Sequence, residues 1–97
     1  MTKADIITEI ISETGLDKVD TQNIIESFMK KIKQSLNKGE NVYLRGFGSF
    51  IVKYRAKKLG RHISKNRSIV IPAHNVPAFK PSKSFTEMVK KNVPIKK

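Results

Sequence analysis

Near residue 40 the spacing of the apolar residues changes, and that change limits what the chain can fold into. Before it, Ile6, Ile7, Ile10 and Ile11 share one helical face, and Ile24, Ile25, Phe28, Met29, Ile32 and Leu36 repeat at helical spacing. After it, Val42 and Leu44 alternate, and Phe50, Val52 and Tyr54 alternate again behind a Gly46-Phe47-Gly48 turn. Each period gathers its apolar groups on one side only in the matching backbone. The expected class is therefore α+β in one domain over residues 1–97. A helical hairpin fills 1–40, a sheet with a β-arm 41–81, a short C-terminal helix 82–91 and a basic tail 92–97.

Local punctuation agrees. Thr2 and Asp5 have capping-box spacing ahead of a helix at 3–14, and Gly15 followed by Leu16 suits a left-handed helix end. Asp17 caps a second helix at 18–38, which Gly39 ends. Pro77 and Pro81 bar a helix between them. Either Ser82, or Ser84 with Glu87, opens the last helix, which buries Phe85, Met88 and Val89.

The alternation fades after Tyr54, where the chain runs Arg55-Ala56-Lys57-Lys58-Leu59. The return strand starts as Arg67-Ser68 and becomes Ile69-Val70-Ile71 before Pro72. The expectation is a hairpin with a core-like base and a cationic outer part, an arm with its tip at about 60–67. A strand of about ten residues reaches roughly 33 Å, more than a surface turn needs.

Charge is segregated along the chain. Of 20 Lys+Arg and 8 Asp+Glu, residues 1–40 hold six bases and seven acids, whereas 41–97 hold fourteen bases and one acid, Glu87. So strong a one-sided field points to a polyanionic partner. An acidic membrane surface would call for a basic amphipathic helix, and the basic half does not read as helix. No apolar run approaches the ~18 residues of a membrane span. The chain has no cysteine and its start does not resemble a signal peptide, so a soluble, cytoplasmic protein is expected. His62 and His74 lack the acidic or thiol company of a metal site, so no metal or cofactor is expected. A metal-dependent nuclease would need gathered carboxylates, and these acids lie on the helices. No catalytic residue and no small-molecule substrate is expected.

Lys53, Arg55, Lys57, Lys58, Arg61, Lys65 and Arg67 are spread along both strands of the arm, an arrangement that suits phosphates on either side of a DNA groove. An undistorted minor groove is only ~6 Å wide, so a two-stranded ribbon must open it and bend the duplex. Ile63, apolar at a charged tip, is then the wedge that partly unstacks a base step; the plainer alternative is that it packs on Leu59. Phe47, Phe50 and Phe79 resemble base-stacking aromatics, but their glycine and proline neighbours favour a core. Without the arm the body is too small to enclose Phe28, Phe47, Phe50, Phe79 and Phe85 alone, so two copies sharing one core are expected.

Three segments carry a family resemblance: Arg45-Gly46-Phe47-Gly48-Ser49-Phe50, Ile71-Pro72-Ala73, and Val76-Pro77-Ala78-Phe79-Lys80-Pro81 leading into Lys83. Together with Gly60-Arg61 they resemble the HU/IHF family, the histone-like DNA-bending proteins of the bacterial nucleoid, over nearly the whole chain. The resemblance implies an intertwined dimer whose short antiparallel sheet extends into long β-ribbon arms. It implies binding of double-stranded DNA with little sequence preference, bending and compaction. Arg45, Lys80 and Lys83 match the family's contacts from the body to the DNA backbone. The family tip reads Gly-Arg-Asn-Pro-x-Thr-Gly. Here His62 stands for Asn, Ile63 for Pro, Lys65 for Thr and Asn66 for Gly. Asn66 visits positive φ more readily than most residues, whereas Ile63 keeps an apolar surface but loses proline's locked φ. Two alternatives stand beside this reading: a sequence-preferring, IHF-type factor paired with a paralogue as a heterodimer, and a ribosome-associated RNA-binding protein.

Overall fold

The computed structural model of the protein describes residues 1–62 and 67–95, the side chains of 61, 62, 67 and 68 excepted. The chain divides into two compact units, Met1–Ser35 and Leu36–Lys97.

The first unit is a helical hairpin of α1, Lys3–Thr14, and most of α2, Lys18–Asn37. α1 starts where Thr2 and Asp5 exchange hydrogen bonds: the Thr2 N–H donates to Asp5 Oδ2 at 2.8 Å, and the Asp5 N–H to Thr2 Oγ1 at 3.2 Å. This satisfies two of the donors that a helix start leaves without partners. Gly15 takes the left-handed end, φ 72°, and its N–H returns to the Ile11 carbonyl. Asp17 Oδ2 then accepts from the Val19 and Asp20 N–H groups at 3.0 and 3.2 Å and starts α2. Lys3 Nζ reaches Glu26 Oε1 at 2.9 Å and ties the two helices together.

The second unit holds two sheets and a helix. β1 (Val42–Leu44), β2 (Gly48–Arg55) and β5 (His74–Pro81) form a three-stranded antiparallel sheet in the order β1-β2-β5. β3 (Lys58–His62) and β4 (Arg67–Ile71) pair separately as a two-stranded ribbon, and α3 spans Lys83–Asn92. Ser82, not Ser84, caps α3: its Oγ accepts from the Phe85 N–H at 3.2 Å.

One expectation is corrected here. Ile69, Val70 and Ile71 do not return to the base of the arm. They lie opposite Gly60, Leu59 and Lys58, out on the ribbon. The base partner of β2 is β5, with Phe50 opposite Phe79 and Val52 opposite Pro77. Two prolines had masked this strand. It tolerates them because it is an edge strand, where a missing N–H is harmless in the right phase. The Val52 N–H is already given to Asn41 Oδ1 at 2.9 Å, on the β1 side, so the Val52–Pro77 position asks no donor of the proline.

Burial is sparse. Among the described residues Ile7, 6% exposed, is the one buried apolar side chain, and Thr21 the one buried polar one.

Candidate nucleic-acid interface

Strand alternation gives the three-stranded sheet two unlike faces. The register places Val42, Leu44, Phe50, Val52, Pro77 and Phe79 on one face and Tyr43, Ser49, Lys53, Arg55, His74 and Lys80 on the other. On the apolar face the rings of Phe50 and Phe79 lie 4.9 Å apart, Phe47 and Phe79 5.1 Å, and Phe47 and Phe85 5.6 Å. This cluster is assembled but uncovered, with Phe47 45% and Phe79 39% exposed. Phe28, the fourth expected core ring, belongs to the first unit and is 46% exposed.

The turn between β1 and β2 brings a cation to the opposite side of the sheet. The Phe47 N–H closes it on the Leu44 carbonyl at 3.0 Å, and Gly46 supplies φ 80°, the positive value that a type II turn needs at its third residue. Arg45 sits at its second position. Gly48 follows, and nothing larger fits there: a Cβ would lie 2.6 Å from the Lys80 carbonyl oxygen and 2.7 Å from the Phe79 ring. The Ser82 N–H then bonds the Phe47 carbonyl at 2.9 Å, holding the start of α3 against the turn.

The result is an open cleft of about 460 Å³ lined by Arg45, Lys80 and Lys83, with Tyr43, Ser49 and Ser82 among them. Cations that lie 38 residues apart in sequence are thus brought to one place by the β2–β5 register. Tyr43 was not among the expected site residues. Its signal was present, because Val42 and Leu44 point to the core side and the residue between them must face the cations.

From the cleft the charge continues outward. Lys53 and Arg55 are exposed on the same face as Lys80, Lys57 falls between β2 and β3, and Lys58 opens β3. Backbone pairing sets Arg61 opposite Ser68 and His62 opposite Arg67. Ile63, the expected wedge, and Lys65 lie outside the described residues. Among the described residues none of Arg45, Lys53, Arg55, Lys57, Lys58, Lys80 and Lys83 is held by an acid. Residues 36–97 carry fifteen bases and two acids, Glu40 and Glu87. The ribbon is not purely cationic, however: Leu59 and Val70 lie directly opposite each other, 70% and 54% exposed.

Residues 1–90 match the family model described as bacterial DNA-binding protein. The DNA-binding protein HU of Thermus thermophilus is 37% identical over 91 residues, 94% of either chain. That of Geobacillus stearothermophilus is 38% identical over 90 residues, 93% of this chain and 100% of its own. Among solved structures, the Anabaena HU–DNA cocrystal structure matches with a TM-score of 0.85 at 29% identity, covering 97% of this chain and 100% of that one. HU from Thermotoga maritima matches with a TM-score of 0.66 at 30% identity, over 92% and 98% of the two chains. No helix among the described residues is long and apolar enough to cross a membrane. With its helical hairpin, sheet and ribbon inside the matched span, and all of the last helix but its final two residues, the chain belongs to the HU/IHF family of bacterial DNA-binding proteins.

Proposed function

We propose that this protein is a histone-like architectural protein of the bacterial nucleoid. Two copies grip double-stranded DNA between their β-arms, with little regard to sequence, and bend it. The observation that carries this reading is the row of exposed cations, from Arg45, Lys80 and Lys83 in the cleft to Lys53, Arg55, Lys57 and Lys58, none of them held by an acid among the described residues. Side by side they repel one another; phosphates relieve that repulsion. Contacts of this kind position a duplex without reading its bases. A ribbon of two strands ~4.8 Å apart plus side chains is wider than a ~6 Å minor groove, so seating it widens the groove and curves the duplex. Ile63 localises that curvature as the wedge between base pairs. Arg61, Lys65 and Arg67 add phosphate contacts toward the tip.

The second copy covers the aromatic face. Phe47 and Phe79 are too exposed for a finished core, and a body of this size does not close one alone. Phe28, Phe47, Phe50 and Phe79 then become the shared interior of a homodimer, in which the two units of each chain act as one DNA-binding domain. Sedimentation at micromolar concentration should give twice the 11.0 kDa of one chain.

The test of the function is a duplex labelled at both ends and titrated at several sodium chloride concentrations. Binding should weaken steeply with salt, by about 0.9 in log–log slope for each phosphate neutralised, and the two ends should approach. Scrambling the duplex sequence should change neither. A complex indifferent to salt, or one that leaves the duplex straight, would refute the proposal. Replacing Ile63→Ala should keep most of the affinity and reduce the bend.

A further inference from the structure

Given the DNA-binding reading above, on which this inference rests, we infer that His74 is a proton-linked contact to the duplex. At the root of the arm it takes a backbone phosphate together with Arg55, and binding adds a proton at its Nε2.

His74 opens β5 and lies directly opposite Arg55, the last residue of β2. Both are exposed, on the face that also carries Lys53 and Lys80. At ~3.3 Å per residue His74 stands roughly 20 Å along β5 from Lys80, where the three-stranded sheet ends. It therefore falls within the row of cations that leads from the cleft to the ribbon.

The imidazole is already oriented. Its Nδ1 lies 2.8 Å from the Pro72 carbonyl oxygen. A carbonyl oxygen only accepts, so Nδ1 carries the hydrogen, and Nε2 is the nitrogen that changes with protonation. Unprotonated, Nε2 offers a lone pair, which a phosphate oxygen repels. Protonated, it donates a charge-assisted hydrogen bond. A phosphate held by Arg55 across the strand pair thus favours the charged ring. By linkage, a complex that favours the proton tightens as pH falls.

The groups around the ring leave that role to the partner. Arg55 and Lys53 face it from β2, Lys57 follows β2, and β5 is the edge strand of its sheet. Tyr54, opposite Asn75, belongs to the other face. No carboxylate occurs between Glu40 and Glu87, which precede β1 and lie on α3. The negative charge that a protonated His74 calls for has to come from the duplex. A plainer role exists, in which the Nδ1 hydrogen bond pins the Pro72-Ala73 link between β4 and β5. That role uses Nδ1 alone and gives no reason for pH to alter DNA binding.

The test uses two full-length variants. His74→Asn keeps a donor for the Pro72 carbonyl but cannot gain a proton, and His74→Lys carries its charge throughout. Salt slopes of duplex binding are read at about pH 5.5 and about pH 8, on either side of the ordinary histidine range. From the higher pH to the lower, wild type should steepen by about 1.8, that is about 0.9 for each of two arms. His74→Asn should lose that gain, and the difference between the two proteins separates His74 from His62 and the N-terminal amine. His74→Lys should hold the steep slope at both values. Equal pH dependence in wild type and His74→Asn would overturn the inference, as would a His74→Lys slope no steeper than that of wild type at the higher pH. Either result leaves the DNA-binding reading intact, provided that wild type binds with steep salt dependence. A wild type without salt-dependent binding would overturn both. If a variant melts early, nitrogen NMR of the wild-type imidazole decides. Adding duplex near neutral pH should move the His74 Nε2 signal from its bare to its protonated position, and an unmoved signal would overturn the inference.

Discussion

Residues 1–35 carry five bases and six acids; residues 36–97 carry fifteen bases and two acids. In the first unit several charged groups have a task in the fold. Asp5 closes a capping box, Asp17 starts α2, and Lys3 holds Glu26 across the hairpin. In the second unit the fold is held by other means: ring contacts, a glycine cradle and a strand ladder. Arg45, Lys53, Arg55, Lys57, Lys58, Lys80 and Lys83 stand outside it, exposed. A charge already held by a neighbour is a poor handle for a partner, because the partner must first displace that neighbour. Charges that stabilise nothing inside are the ones available outside.

The largest effect expected from this contrast concerns binding. Lys53→Gln with Arg55→Gln removes four cations from a dimer and should flatten the salt slope by about 3.6, on the order of a thousandfold in affinity at 0.15 M salt. Thermal stability should not fall. Lys33→Gln, in the first unit, should leave the slope where it is. A double variant that binds as tightly as wild type would break the contrast.

Stability should respond on the other face of the same sheet. Phe79→Ala removes a ring within 4.9 Å of Phe50 and 5.1 Å of Phe47 and should cost about 3–5 kcal/mol of unfolding free energy. The loss should depend on protein concentration, as denaturant titrations at two concentrations will reveal. Gly48→Ala follows at about 1–3 kcal/mol, since the added Cβ meets the Lys80 carbonyl and the Phe79 ring and neither can give way cheaply. Circular dichroism melts would place it, and an unshifted melt would mean that the turn relaxes freely.

The smallest effect belongs to the exposed pair of the first unit. The hydrogen bond from Lys3, and then its charge, hold the Glu26 carboxyl below its ordinary value of 4.5. A lowered folded value adds stability above pH 4.5, and that addition disappears as pH falls through the folded value. Lys3→Met should therefore differ from wild type at neutral pH and converge with it under acid. A gap that persists at low pH would mean that Lys3 acts through packing rather than charge. Being exposed, the pair should matter little in either case.

Much of this was legible in the sequence, for reasons that particular residues make plain. The helices announce themselves through neighbours within four positions: Thr2 with Asp5, Asp17 with Asp20, Gly15 at the end. β1 and β2 follow from Val42, Leu44, Phe50 and Val52. The base of the arm was misread because Ile69-Val70-Ile71 looks like a core strand whatever it pairs with, and because Pro77 and Pro81 make β5 look like a loop. Arg45, Lys80 and Lys83 were expected to act together only through family resemblance. Nothing local in the chain links residue 45 to residue 80.

By itself, then, the amino-acid order determined the kind of each helix and of the first strands, where they start and stop, and the separation of acids from bases. These properties are written in short-range spacing, which a linear reading captures. Tertiary structure decided which strand meets which, and so which cations share the cleft and which apolar groups ride out on the ribbon. A strand's partner is chosen by a ladder of hydrogen bonds across some thirty residues of chain, and in that ladder the prolines of β5 fit only because β2 sends its Val52 N–H to the other side.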